Sequence, residues 1–453
     1  MTDRTRQLAE QDKKYLWHPF TQMKEWADEE PLIIERGEGA TLFDTDGNAY
    51  IDGVSSLWCN IHGHRKAEID DAVRDQLDRI AHSTMLGLSG PPAVELAERL
   101  VKLAPRPLAK VFYSDSGSEA MEIALKIAFQ SQRQKGEGAR TKFVALDQGY
   151  HGDTIGAVSL GGIPLFHSVY GPLLFETLRA PAPYCYRCSL GLEPDKCSMA
   201  CLGRMADLLR EHADEVIAVV MEPLVQGAGG IIVHPAGYLR GVRDLCDRCG
   251  VLLICDEVAV GFGRTGRMFA CEHEGVAPDI MAVAKGLTGG YLPLAATLAN
   301  EDVYASFLGE YEDFKTFFHG HTYTGNALCC AAAIATLDVF EKERTLERIV
   351  PRIEQLTRRL EDFRRLEHAG DVRQRGLIAG VELVRDRATR AEYDPAGKVG
   401  IRVTQAARKR GLITRPLGNV IVIMPPLCTT ERELDRMLDV LLESIEHVTE
   451  REA

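Results

Sequence analysis

Five stretches of this chain are apolar with little or no interruption: Lys110–Tyr113, Phe143–Leu146, Val216–Met221, Val251–Cys255 and Ile280–Ala284. Runs of this length read as strands buried on both faces of a parallel sheet. Between them the apolar period lengthens. Ile69, Val73, Leu77 and Ile80 are spaced as one face of a helix, and Leu96, Leu100 and Leu103 follow the pair Pro91-Pro92, which suits a first helical turn. Met121, Ala124, Leu125 and Ala128 line a third helix. Strand alternating with helix predicts an α/β fold, a mostly parallel sheet flanked by helices. After about Leu337 the texture changes to charged helices, short strands and a final helix. That helix opens on a capping box, Thr430-x-x-Glu433, and its core face is Leu434, Met437, Leu438, Leu441 and Ile445. We expect a large domain over 76–337 and a smaller α+β domain built from residues 1–75 and 338–453.

Charge narrows the class of partner. The chain has 453 residues and a formal net charge of −13, with a pI near 5.6. Nucleic acid and anionic membrane both call for a basic patch, so neither is an expected partner. The N-terminus, Met1-Thr2-Asp3-Arg4-Thr5-Arg6, is polar, and no uninterrupted apolar run reaches the roughly 18 residues of a spanning helix. A cytoplasmic protein is expected.

Twelve cysteines would be reduced thiols in that compartment. Cys255, Cys329 and Cys330 lie in apolar runs and read as small core residues. Cys246-x-x-Cys249 sits at helical spacing and reads as packing. Cys185-x-x-Cys188 and Cys197-x-x-x-Cys201 are different, since four thiolates in a short Gly/Pro-bearing loop can hold zinc tetrahedrally. The gap between the pairs is shorter than in common zinc ribbons, and a surface insertion with reduced thiols is the expected reading, with no metal.

Two strands end abruptly in charge: Val251-Leu252-Leu253-Ile254-Cys255 in Asp256, and the run ending at Ala284 in Lys285. Ligands of open α/β sheets bind outside the carboxyl ends of the strands. A lysine nucleophile with an aspartate for a pyridinium nitrogen is what a pyridoxal-phosphate enzyme needs. Alone the pair is common. Val111–Ser114 runs through Asp115-Ser116-Gly117-Ser118-Glu119 into a helix, whose start offers Gly117 and Ser118 to an anion. By itself that segment more often marks a capped helix with no ligand. Gly149-Tyr150-His151-Gly152-Asp153 puts an aromatic on a strand-end loop, where it can stack on a flat heterocycle or simply sit in a turn. Gly261-Phe262-Gly263-Arg264-Thr265-Gly266 is not a dinucleotide fingerprint, because no second strand with the required acid accompanies it.

Taken in order, these segments resemble the class III, fold-type I pyridoxal-phosphate aminotransferases. The matching residues are Asp115–Ala120, Gly149–Gly152, Glu222-Pro223, Asp256–Gly266, Ala284-Lys285-Gly286 and Thr322-Tyr323-Thr324-Gly325-Asn326. Leu16–Met23, Asp52–Trp58, Ile61–His64, Val225–Gly230, Phe269–His273 and Thr414–Gly418 point to the branch serving biotin synthesis. That branch aminates 8-amino-7-oxononanoate to 7,8-diaminononanoate, with S-adenosylmethionine as the usual donor. Ala259 stands where members using glutamate-like donors commonly have glutamine.

The resemblance implies that Lys285 carries the cofactor and moves the proton, and that Asp256 holds the pyridine nitrogen. It implies Gly117 and Ser118 on the phosphate, completed by His321 and Thr322 of the other subunit of a homodimer, and Tyr150 on the ring. For substrate it implies Phe20, Trp58, Tyr150, Gly320 and Arg415, the last for the carboxylate of the oxo acid. Phe20 departs from the tyrosine often found there, which leaves lysine open as an alternative donor. Another class III omega-aminotransferase, or a catalytically inactive metal-binding scaffold, are the competing readings.

Overall fold

A computed structural model describes residues 1–451. Its centre is a seven-stranded sheet: β1 (Leu108–Ser114), β2 (Lys142–Leu146), β3 (Thr177–Ala180), β4 (Val216–Met221), β5 (Leu252–Asp256), β6 (Ile280–Val283) and β7 (Ala295–Asn300). The spatial order is β1-β7-β6-β5-β4-β2-β3. From β6 to β3 every pair is parallel; β7 runs antiparallel to both β6 and β1. Central strands β4, β6 and β7 are buried at every position, as strands covered on both faces must be.

Five of the seven strands match the apolar runs. The sequence reading lacked β3 and β7. In β7, Ala-Ala-Thr-Leu-Ala-Asn has one β-branched residue, no aromatic and three alanines, and therefore little local strand signal. Its small side chains suit close packing of the helix Gly117–Gln134, where Thr297 Oγ1 donates to the Ala120 carbonyl at 2.8 Å.

A second sheet contains Ala369–Arg375, Ile378–Leu383, Val420–Ile423 and Pro416–Leu417. A third joins chain segments far apart: Leu412–Ile413 pairs in parallel with Ala49–Asp52 of the N-terminal strands. The N- and C-terminal segments thus share one sheet. Both expected boundaries, at 75 and 337, fall inside helices: Ala67–Leu77 and Ala327–Lys342. These two helices pack on each other through Ile69, Ala332 and Ala335. Periodicity marks a helix's apolar face but not which layer the face meets, and here Ile69 meets the large sheet's own helix.

Candidate active site

The carboxyl ends of β5 and β6 open into a cavity of about 410 Å3, lined by Trp58, Gly117, Ser118, Tyr150, Asp256 and Lys285. Six of the residues read from sequence therefore converge at one place.

Asp256 is the last residue of β5. Its Oδ2 accepts from His151 Nδ1 at 2.8 Å and its Oδ1 from the Val258 amide at 3.1 Å, so the buried carboxylate cannot swing. Lys285 follows β6 with φ at +46°, a left-handed conformation that costs about 1–3 kcal/mol and is stored mostly at functional positions. Its Nζ has no ion pair among the described residues and lies 5.7 Å from the centre of the Trp58 ring. Burial pushes the Lys285 pKa down, against the opposing pull of Asp256 and Glu222.

The helix Gly117–Gln134 begins with the predicted capping box. The Glu119 amide donates to Ser116 Oγ at 3.3 Å, and Glu119 Oε2 accepts from the amides of Asp115 and Ser116 at 2.8 and 2.9 Å. The amides of Gly117 and Ser118 are left at the positive end of the helix. Position 117 must be glycine, since a Cβ there would lie 2.7 Å from Val258 Cγ1. The helix start and the Tyr150 loop also interlock. Ser118 Oγ accepts from the Asp153 amide at 3.1 Å, and Tyr150 donates its hydroxyl to Asp153 Oδ2 at 2.7 Å.

Trp58 closes a turn in which four successive residues are left-handed, with φ of 51°, 54°, 100° and 70° at Ser55, Ser56, Leu57 and Trp58. Buried Asp52 anchors it by accepting from the Ser56 amide at 2.8 Å and hydroxyl at 2.7 Å, while Ser55 Oγ donates to the Met424 carbonyl at 2.6 Å. The indole is 6% exposed and its Nε1 has no partner.

The remaining predicted residues lie outside this lining. Arg415 is half-buried beside Tyr150 and has no side-chain hydrogen bond or ion pair among the described residues; burial lowers its pKa, and the nearby phenol opposes this. Phe20 is 63% exposed and reaches the site only through Phe166, edge-on at 5.4 Å, which in turn meets Tyr150 edge-on at 6.4 Å. Gly320 and Thr322 are exposed. His321 lies 3.2 Å from His319 Nε2, and the Thr322 carbonyl accepts from His82 at 2.8 Å.

Sequence reasoning assigned no role to His151, Glu222 or Phe166. The first two stand inside quoted motifs; Phe166 carries no local signal. The four loop cysteines are half-buried free thiols. Among the described residues, the one group of three candidate ligands with atoms within 4.8 Å of one another is Asp115, Glu119 and His321, not the cysteines. No helix among these residues is long and apolar enough to cross a membrane.

This architecture, with lysine and aspartate at adjacent strand ends, is that of a transaminase. Residues 22–445 match the class-III aminotransferase family, and the chain belongs to it. It is 60% identical to the adenosylmethionine-8-amino-7-oxononanoate aminotransferase of Nitratidesulfovibrio vulgaris, over 99% of this chain and 83% of that one. The crystal structure of the Methanocaldococcus jannaschii enzyme of the same name superposes with a TM-score of 0.94 at 48% identity, covering 98% of this chain and 99% of the other. An omega transaminase from Pseudomonas jessenii, solved in complex with PMP, gives a TM-score of 0.94 at 32% identity and covers 98% of both chains.

Proposed function

We propose that this protein binds pyridoxal 5′-phosphate and transfers an amino group to 8-amino-7-oxononanoate, with S-adenosylmethionine as donor. The observation that carries the reading is a half-buried guanidinium, Arg415, which has no side-chain partner among the described residues and lies near Tyr150, itself a wall of the cavity that holds Lys285 and Asp256. A guanidinium fork suits a carboxylate bidentately, and the names of the relatives supply the oxo acid.

The residues fit the cofactor. Two free amides and a hydroxyl at Gly117 and Ser118 suit its phosphate, the 410 Å3 cavity suits its ring, and Asp256 offers a fixed carboxylate for its nitrogen. When bound, the cofactor supplies an electron sink for the carbon that carries the amine. Lys285, whose burial favours the neutral amine more than water would, is placed to act first as nucleophile and then as the group that holds and moves the proton. Tyr150 would stack on the ring, Trp58 would wall the substrate from water, and Phe20 would meet the substrate side through Phe166.

We further propose a homodimer in which His321 and Thr322 of a second copy reach the phosphate of the first. Support comes from their position outside their own chain's cavity and from the apolar surface around them. Leu86 is 90% exposed, Phe318 75% and Tyr323 56%, and Tyr323 packs on His82. The domain division is proposed with its boundaries moved to the ends of the two helices, near Lys66 and Arg344.

The test is a half-reaction. Holoenzyme is mixed with S-adenosylmethionine or lysine and its conversion to the pyridoxamine form is followed, after which the oxo acid is added and the diamine measured. Failure with every donor overturns the assignment. Lysine is the second reading, favoured by Phe20, which packs on Phe166 and has no hydroxyl to offer a donor. Restoring that hydroxyl by Phe20→Tyr should raise the preference for S-adenosylmethionine over lysine; unchanged preference removes Phe20 from donor choice.

A further inference from the structure

Glu222 is buried, and each of its oxygens is used by a different wall of the cavity. Oε1 accepts from the amide of Tyr150 at 3.2 Å, and Oε2 accepts from the amide of Gly227 at 2.8 Å. Tyr150 is the stacking wall. Gly227 is the seat of a second wall, because the Trp58 indole lies directly against it: a Cβ on Gly227 would be 3.1 Å from Trp58 Cζ3. One carboxylate therefore fixes the spacing of two aromatic walls that come from chain segments remote from each other in sequence. The Gly227 turn is itself tight, with the amides of Gly230 and Ile231 both donating to the Gly227 carbonyl.

We propose that Glu222 is a positioning residue for the amino transfer assigned above, acting by clasping the Tyr150 loop to the Gly227 seat of Trp58. The proposal rests on that assignment for its kinetic consequence and on the clasp geometry alone for its structural one. Facing the carboxylate are His151 and Tyr150 from the stacking loop, Asp256 from the end of β5 and Lys285 from the turn after β6. Burial raises the Glu222 pKa to about 7; His151 opposes this and Asp256 adds to it. Above that pH both oxygens are acceptors, as two N–H donors require. Below it one oxygen becomes a hydroxyl, a weaker acceptor than a carboxylate oxygen, and the hold on one wall loosens.

Two measurements test this. The first is kcat/KM for the oxo acid against pH, in wild type and in Glu222→Gln. The second is the emission of Trp58 against pH in a background carrying Trp17→Phe and Trp26→Phe, with and without Glu222→Gln. In wild type, both should change on acidification through about 7. Glu222→Gln should lower kcat/KM about tenfold to a hundredfold, mainly through KM, and flatten both profiles. A Gln variant with the wild-type rate, or with the wild-type profile, overturns the proposal. Gly227→Ala covers the case of a misfolded Gln variant. It should raise KM by displacing Trp58 yet keep the pH profile, because the carboxylate is intact; an unchanged KM overturns the clasp. The emission titration needs neither cofactor nor substrate, so it decides the role of Glu222 even if the transamination assignment fails.

Discussion

Two of the crossings from strand to helix that leave the large sheet end in opposite ways. From β1 the chain turns within two residues, Asp115 and Ser116, into a helix sealed by a complete capping box. From β3 it wanders through the cysteine-bearing loop before a helix, Ala200–Glu211, whose N-cap is the left-handed Met199 with no side-chain cap. In the first region the backbone is pinned, and the site that it borders keeps its functional charges free: among the described residues Lys285 and Arg415 have no ion pair. In the second the backbone is long and the charges are consumed. Tyr184 and Arg187 both bond Glu382, and Arg390 donates to the Tyr186 carbonyl at 2.7 Å and pairs with Glu193 at 3.3 Å. A binding site here is held rigidly and left electrostatically unfinished; a clasp spends its charges on itself.

The comparison breaks most severely at Lys285. Lys285→Ala should abolish amino transfer and leave a folded protein, because the side chain makes no bond that the fold needs. Folding is checked by thermal melt and turnover by diamine formation. A residual rate above trace sinks the assignment. Asp256→Asn should still capture cofactor but lose most of its rate, since an amide cannot keep the ring nitrogen protonated. Spectral titration with pyridoxal phosphate separates capture from turnover. A near-normal rate would mean that the carboxylate held by His151 serves packing alone.

Arg415 sits at the less pinned edge of the same region, and a smaller effect follows. Arg415→Ala should raise KM for the oxo acid, with a loss in kcat/KM of about tenfold to a hundredfold, the range of a hydrogen bond to a charged group. The donor half-reaction should suffer less. Equal damage to both halves would make Arg415 structural, although it has no partner to support.

How much of this was legible in the sequence follows the same division. Asp256 and Lys285 stood out because long apolar runs stop dead at them, and the capping box announced the Gly117 helix. Those signals are local, and so are the forces behind them. Arg415, Phe20 and Trp58 carried no such signal and came from family resemblance alone. Trp58 depends on Asp52 and Met424 to hold its strained turn, Arg415 on what does not pair with it, and Phe20 on Phe166. Glu222 was visible only as part of a motif, because its two amide donors belong to loops that sequence does not show meeting. Strand β7 was missed since alanine leaves little trace of strand, and its burial is imposed by neighbours.

The cysteine loop gives the smallest expected effect and the sharpest check on the comparison. A thiol binds metal as the thiolate, so a site raises metal affinity by lowering thiol pKa values. Here burial pushes Cys185 up, with Cys197 and Cys188 adding to it, and burial likewise raises Cys201. Among the described residues no three of the loop sulfurs lie within 4.8 Å of one another, and the loop is already fastened by Tyr184 and Arg187 on Glu382. Cys188→Ser with Cys197→Ser should therefore leave amino transfer unchanged and shift stability by less than about 0.5 kcal/mol, as for half-exposed polar replacements. A strong chelator should leave the melting temperature where it was. One equivalent of zinc in the purified protein, lost together with stability on chelation, would show that the loop is held by metal as well as by its ion pairs, and the contrast between the two crossings would fail.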